Sequence, residues 1–77
     1  MTTQLHDEVV LSRDVLEHGL RAGDIGTVVH VYPKGGLEVE FFTAAGKTRA
    51  VVTLREGDVR AATDNDVVAV RSLGATG

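Results

Sequence analysis

Valine decides what this chain can fold into. Paired valines recur at Val9-Val10, Val28-Val29, Val51-Val52 and Val67-Val68. A β-branched side chain is stiff at χ1 and packs well on a pleated surface. Nine glycines and one proline interrupt these runs at short intervals, and valine-rich runs between glycine-containing turns are the pattern of a small all-β domain. A helical repeat is missing outside one stretch, residues 13–24.

Size then limits the architecture. A chain of 77 residues makes one domain, and at that size folding buries only about 60% of the unfolded surface. Nucleotide-binding α/β units and eight-stranded α/β barrels do not fit. Cysteine is absent, so neither disulfides nor a thiolate metal site can hold the core. Packing and hydrogen bonds must do so, helped by a partner or by self-association. The 43% hydrophobic and 25% charged residues exclude a disordered chain. Eight Lys and Arg against eleven Asp and Glu give a net charge of −3, which disfavours a dedicated nucleic-acid binder but permits a local basic patch. No apolar run approaches the ~20 residues of a membrane span, and no leader pattern opens the chain. The expectation is no membrane association and a cytoplasmic location.

Along the chain, residues 1–6 are polar and expected to fray. Strands are predicted over 7–12, 27–32, 37–42, 48–54 and 59–61, with a Pro-Lys-Gly-Gly turn at 33–36 and one 3₁₀ turn at 55–58. Residues 13–24 form a long first loop. Val15, Leu16 and Leu20 mark a short turn in it, capped by Asp14 and ended by Gly19. Leu16 and Leu20 are expected to cover the open end of a barrel.

Register between the third and fourth strands follows from burial. With Thr43 opposite Thr48, Phe41 meets Ala50, Val39 meets Val52 and Leu37 meets Leu54, all on one face. A slip of one residue would set Arg49, Val51 and Thr53 against that apolar row. The same register puts Phe42 opposite Arg49 on the outer face. The second strand alternates poorly, which predicts a bulge near His30, with His30 itself half-buried and hydrogen-bonded. Residues 63–77 are a C-terminal tail. Its apolar 67–70 can be disordered, an added edge strand or a docking segment.

Gly23-Asp24-Ile25-Gly26-Thr27-Val28-Val29-His30-Val31 followed by Val39-Glu40-Phe41 resembles the glycine-centred motif of KOW domains. Those are small five-stranded SH3-like barrels of ribosomal proteins and transcription elongation factors. More closely, the segments beginning at Glu8, Glu17 and Ala22, with Val39-Glu40-Phe41, Leu54 and Val59-Arg60, resemble a family of short bacterial proteins known only as a domain of unknown function. That resemblance covers residues 7–62 and implies a five-stranded SH3-like (KOW-like) barrel with a long first loop; 63–77 lies outside it. Nucleic-acid-binding KOW proteins present basic loops and stacking aromatics. Here the turn after the second strand offers only Lys34, and the aromatics are Tyr32, Phe41 and Phe42.

Catalytic patterns are missing from the sequence. His6, His18 and His30 have neighbouring carboxylates but no spacing that specifies further metal ligands. Ser12 and Ser72 lie in no nucleophile elbow, and 23–26 lacks the Lys-Ser/Thr ending of a phosphate loop. Glu38 and Glu40 share an exposed face without a desolvated cleft to separate their pKa values. The expectation is a protein that is not an enzyme and uses no cofactor. A non-catalytic interaction module binding a protein or peptide fits best, its candidate surface being the loop over 13–24, with His18 and Leu20, together with Tyr32, Pro33, Phe42 and Arg49. Three alternatives stay open: a KOW-like RNA or ribosome contact through Lys34, Lys47, Arg49, Arg55 and Arg60; an antitoxin- or immunity-type partner of an enzyme; and self-association through 67–70.

Overall fold

A computed structural model describes residues 3–42 and 48–69, excluding the side chains of 48–49 and 67–69. Five strands are described: β1 (Glu8–Leu11), β2 (Ile25–Val31), β3 (Gly36–Phe42), β4 (Thr48–Arg55) and β5 (Val59–Ala61). They form one antiparallel sheet in the order β4-β3-β2-β1-β5. A 3₁₀ turn, Leu16–His18, lies in the first loop; a second, Glu56–Asp58, leads into β5. The sheet coils on itself, because its two outermost strands feed the same core. Val52 and Leu54 from β4 and Val59 from β5 share one cluster with Val9, Leu11, Val28, Leu37, Val39 and Phe41. The chain is all-β and barrel-like, as its valine pattern predicts.

β3 shows why the register is fixed. Leu37, Val39 and Phe41 are buried, while Glu38 and Glu40 are half-buried and Phe42 is exposed. Opposite them stand Leu54, Val52 and Ala50, the predicted partners. Beyond Phe41 the register shifts, and Phe42 pairs with Thr48 rather than Arg49. Arg49 is therefore the extra residue of a bulge, and the expected Phe42–Arg49 pairing is not made. Thr43 lies outside the described residues.

The β2 bulge falls where the broken alternation placed it. Val28 pairs with Val39 and His30 with Glu38, leaving Val29 as the extra residue. His30, however, is exposed, not half-buried. Pairing with Glu38 commits it to the outer face, where its ring meets that of Tyr32 edge-on at 4.5 Å. Residues 3–6 are also better tied than their polarity suggests. Thr3 is buried, the Gln4 N–H donates to Asp7 Oδ2 at 2.8 Å, and the His6 N–H donates to the Val28 carbonyl at 2.8 Å.

The first loop packs by a different pair than expected. Val15 and Leu20 are buried and exchange backbone hydrogen bonds at 2.9 and 3.0 Å. Leu16, between them in the 3₁₀ turn, is 75% exposed, so only Leu20 of the expected two covers the core. Gly19 closes the turn at φ 68°, while Asp14 receives the Ala22 N–H instead of capping it.

After β5 the chain forms a short helix, α1 (Asp64–Ala69), so the added-edge-strand expectation fails over these residues; Val70 lies outside the described residues. Thr63-x-x-Asp66 is a capping box. The Asp66 carboxylate accepts from the Thr63 N–H at 2.8 Å and from its hydroxyl at 2.9 Å. Arg60 grips the same carboxylate with two nitrogens, at 2.8 and 2.7 Å, and is the first cause holding its pKa below the ordinary carboxyl value.

Two contrasts test this packing by urea denaturation. Leu20→Ala should cost about 2–5 kcal/mol as a large-to-small core change, whereas Leu16→Ala should stay within about 0.5 kcal/mol. A Cβ on Gly26 would meet Val39 Cγ1 at 2.7 Å, Phe41 Cε1 at 2.8 Å and the Glu40 carbonyl at 2.9 Å. Gly26→Ala should therefore destabilise by about 1–3 kcal/mol. At Gly57 a Cβ meets nothing within 4 Å, and Gly57→Ala should be neutral or stabilise by up to about 1 kcal/mol.

Candidate functional site: a cationic groove

Three segments distant in sequence converge at one end of the sheet. Strand order brings the β2–β3 turn beside the end of β4, where Gly36 pairs with Arg55. The Glu56 N–H then donates to the Gly35 carbonyl at 3.0 Å, tying the turn to the second 3₁₀ segment. The start of the first loop joins them through the Ser12 N–H, which donates to the Asp58 carbonyl at 2.8 Å. Between these segments lies an open groove of about 480 Å³.

Asp58 organises one wall. Its Oδ1 receives Arg13 Nε at 2.9 Å, and its Oδ2 receives the Arg55 N–H at 2.9 Å. The hydrogen bond from Arg13, then that from the Arg55 backbone, holds its pKa below the ordinary value of 3.8. On the other side, Tyr32 lies across Gly36, where a Cβ would come within 3.3 Å of the ring. The Tyr32 hydroxyl donates to Glu38 Oε2 at 2.9 Å, and Thr53 Oγ1 donates to the same oxygen at 2.7 Å. These two bonds, Thr53 first, lower the Glu38 pKa; the bond to Glu38 raises that of Tyr32. Both carboxylates are thus ionised at neutral pH.

Lys34 and Arg55 complete the lining with Leu54 and Thr53. Arg13 forms a salt bridge with Asp58, whose carboxylate also feels the Arg55 charge, while neither Lys34 nor Arg55 makes a salt bridge of its own among the described residues. The lining carries three cations against one carboxylate, on a chain of net charge −3. An anion, or a segment carrying both anions and hydrogen-bond donors, suits such a groove. Among the described residues no three metal-ligating side chains gather, and no helix is long and apolar enough to cross a membrane.

The residues singled out from sequence do not form one surface. Tyr32 lines the groove, and Pro33 is exposed in the adjoining turn. His18 is exposed on the first 3₁₀ turn and does not line the groove. Leu20 is 1% exposed and cannot be touched by a partner without unfolding the loop. Phe42 is exposed at the opposite end of β3 from Gly36, roughly 20 Å away at about 3.3 Å per residue. Arg49 lies at that far end too, and its side chain is outside the described residues. The pairing of Arg13 with Asp58 is not legible in sequence because it spans 45 positions. The local signal was Arg55-x-x-Asp58, a carboxylate placed to bond back to the residue before a helical turn.

Asp58→Asn tests the wall. A carboxyl whose folded pKa is depressed contributes stability that is full above its unfolded value and lost as pH falls through the folded one. The variant should be less stable than the parent by roughly 1 kcal/mol at pH 7. That gap should narrow as the pH is lowered below 3.8, as followed by urea midpoints at successive pH values.

No curated protein and no solved structure is significantly similar to the chain. A family model does match residues 5–61, reaching from the N-terminal turn to the end of β5 and leaving out α1. The chain belongs to that family, the domain of unknown function DUF4926.

Proposed function

We propose that this protein is a non-catalytic, cytoplasmic interaction module that receives an extended segment of a partner protein in the groove between Arg13, Tyr32 and Arg55. The observation that carries this reading is the groove itself, in which three loops meet around charges of both signs beside an exposed tyrosine. Aromatic and arginine side chains are the types most enriched where partners bind tightly. The element order supports an SH3-like, KOW-like barrel: a long loop after the first strand, a three-stranded meander, and a 3₁₀ turn before a short last strand.

An RNA contact is the second reading, favoured by Lys34 and Arg55, which make no salt bridge among the described residues, beside the His30–Tyr32 ring pair. Affinity chromatography with the immobilised full chain separates the two, using nuclease-treated and untreated lysate of the encoding cell. A protein retained by the parent and by Phe42→Ala, but lost with Tyr32→Ala/Arg55→Ala, is the expected result. Loss with Phe42→Ala alone would move the site to the other end of the sheet. Retention that disappears after nuclease treatment would favour RNA.

A further inference from the structure

We propose that the groove selects an acidic peptide segment, whose carboxylates are read by Lys34 and Arg55. This rests on the reading of the groove as the partner site and names the chemistry of what enters it.

Charge complementarity carries the inference. Acidic residues outnumber basic ones over the chain by eleven to eight, yet the groove lining has Arg13, Lys34 and Arg55 against Asp58 alone. Arg13 is already committed. Its Nε donates to Asp58 and its Nη1 to the Asp14 carbonyl at 3.1 Å, so it stiffens a wall. Among the described residues the side chains of Lys34 and Arg55 make no such bonds, Arg55 sharing only the field of Asp58, and their backbones are held near each other by the Gly36–Arg55 pairing and the Gly35–Glu56 hydrogen bond. A guanidinium takes a carboxylate through two parallel N–H···O bonds, and an ammonium adds a second point charge.

The remaining polar groups favour a peptide over a phosphate chain. Glu38 stands behind the lining residues Tyr32 and Thr53, which both donate to its Oε2, and among the described residues its Oε1 accepts no hydrogen bond. A peptide brings N–H donors for that oxygen along with its carboxylates. A nucleic-acid backbone brings acceptors and charge but no N–H donors along its chain. A groove of 480 Å³ lies within the range of about 300–1,000 Å³ typical of ligand clefts, enough for a short extended segment.

Fluorescence anisotropy on the full chain tests the inference with three fluorescein-labelled probes. These are an octapeptide of alternating Glu and Val, its Gln–Val counterpart, and octa-uridine RNA, each at 50 and 200 mM NaCl. The Glu peptide should bind, more weakly at the higher salt, with the Gln peptide at least tenfold weaker. Lys34→Glu and Arg55→Glu should each weaken it at least fivefold with unchanged circular dichroism, while Arg21→Glu, exposed outside the groove, should leave it within twofold. Failure of the Glu peptide to bind at millimolar concentration overturns the inference, as does tighter binding of the RNA. Equal binding of the two peptides, with loss in Tyr32→Ala, overturns the acidic preference while the groove reading survives. Binding that is lost in Arg21→Glu but not in Arg55→Glu overturns both.

Discussion

β1 is the strand on which the structure depends. It is four residues long and pairs with β2 on one side and β5 on the other, so it joins the end of the domain to the meander. Val9, Val10 and Leu11 are each 2% exposed. Val9 and Leu11 belong to the central cluster, whereas Val10 is buried on the other face and stands outside it. Each such side chain contributes about 1.5–3 kcal/mol through burial, in a domain whose net stability is on the order of 0.1 kcal/mol per residue. A strand this short therefore decides whether the sheet closes.

Closure at β1 also creates the groove. Where β1 ends, the Ser12 N–H meets the Asp58 carbonyl, and one residue later the Arg13 guanidinium meets the Asp58 carboxylate. The backbone bond belongs to the fold, and the ion pair is built on it. On the far side, the Gly36–Arg55 pair closes the β3–β4 ladder and carries the Arg55 side chain to the groove. Arg55 ends β4 and Asp58 ends the second 3₁₀ turn, while Arg13 and Lys34 stand in the connections those elements hold together.

This explains which parts of the molecule were legible in sequence. Alternating Leu37, Val39 and Phe41 against Ala50, Val52 and Leu54 fixed a register, because a one-residue slip would bury Arg49. The broken alternation at Val28-Val29 marked a bulge because a period of two leaves few other solutions. His30 was misplaced since the outward turn depends on which residue of the bulge is extra, a matter of pairing with Glu38 across the sheet. Leu16 and Leu20 looked equivalent, and only the Val15–Leu20 bridge separates the buried one from the exposed one. The groove was the least legible feature. Tyr32 drew notice as an exposed aromatic, but its association with Arg13 and Asp58 requires the strand order β4-β3-β2-β1-β5. Phe42 was grouped with Tyr32 by residue type although β3 holds them apart.

The helix after β5 follows the same logic of local chemistry fixed by a distant frame. Valine at 67 and 68 favours a strand, yet Thr63 and Asp66 satisfy each other's backbone donors and start a helix. Arg60 then ties that helix's first turn to β5. Capping thus overrides β propensity here, because a strand would leave the Asp66 carboxylate without its partners at Thr63 and would need an edge to pair with. β5 is an edge of only three residues, too short to offer a ladder to a further strand. Charge, rather than added sheet, fastens the start of the tail to the barrel, and it does so on β5, away from the groove's lining residues.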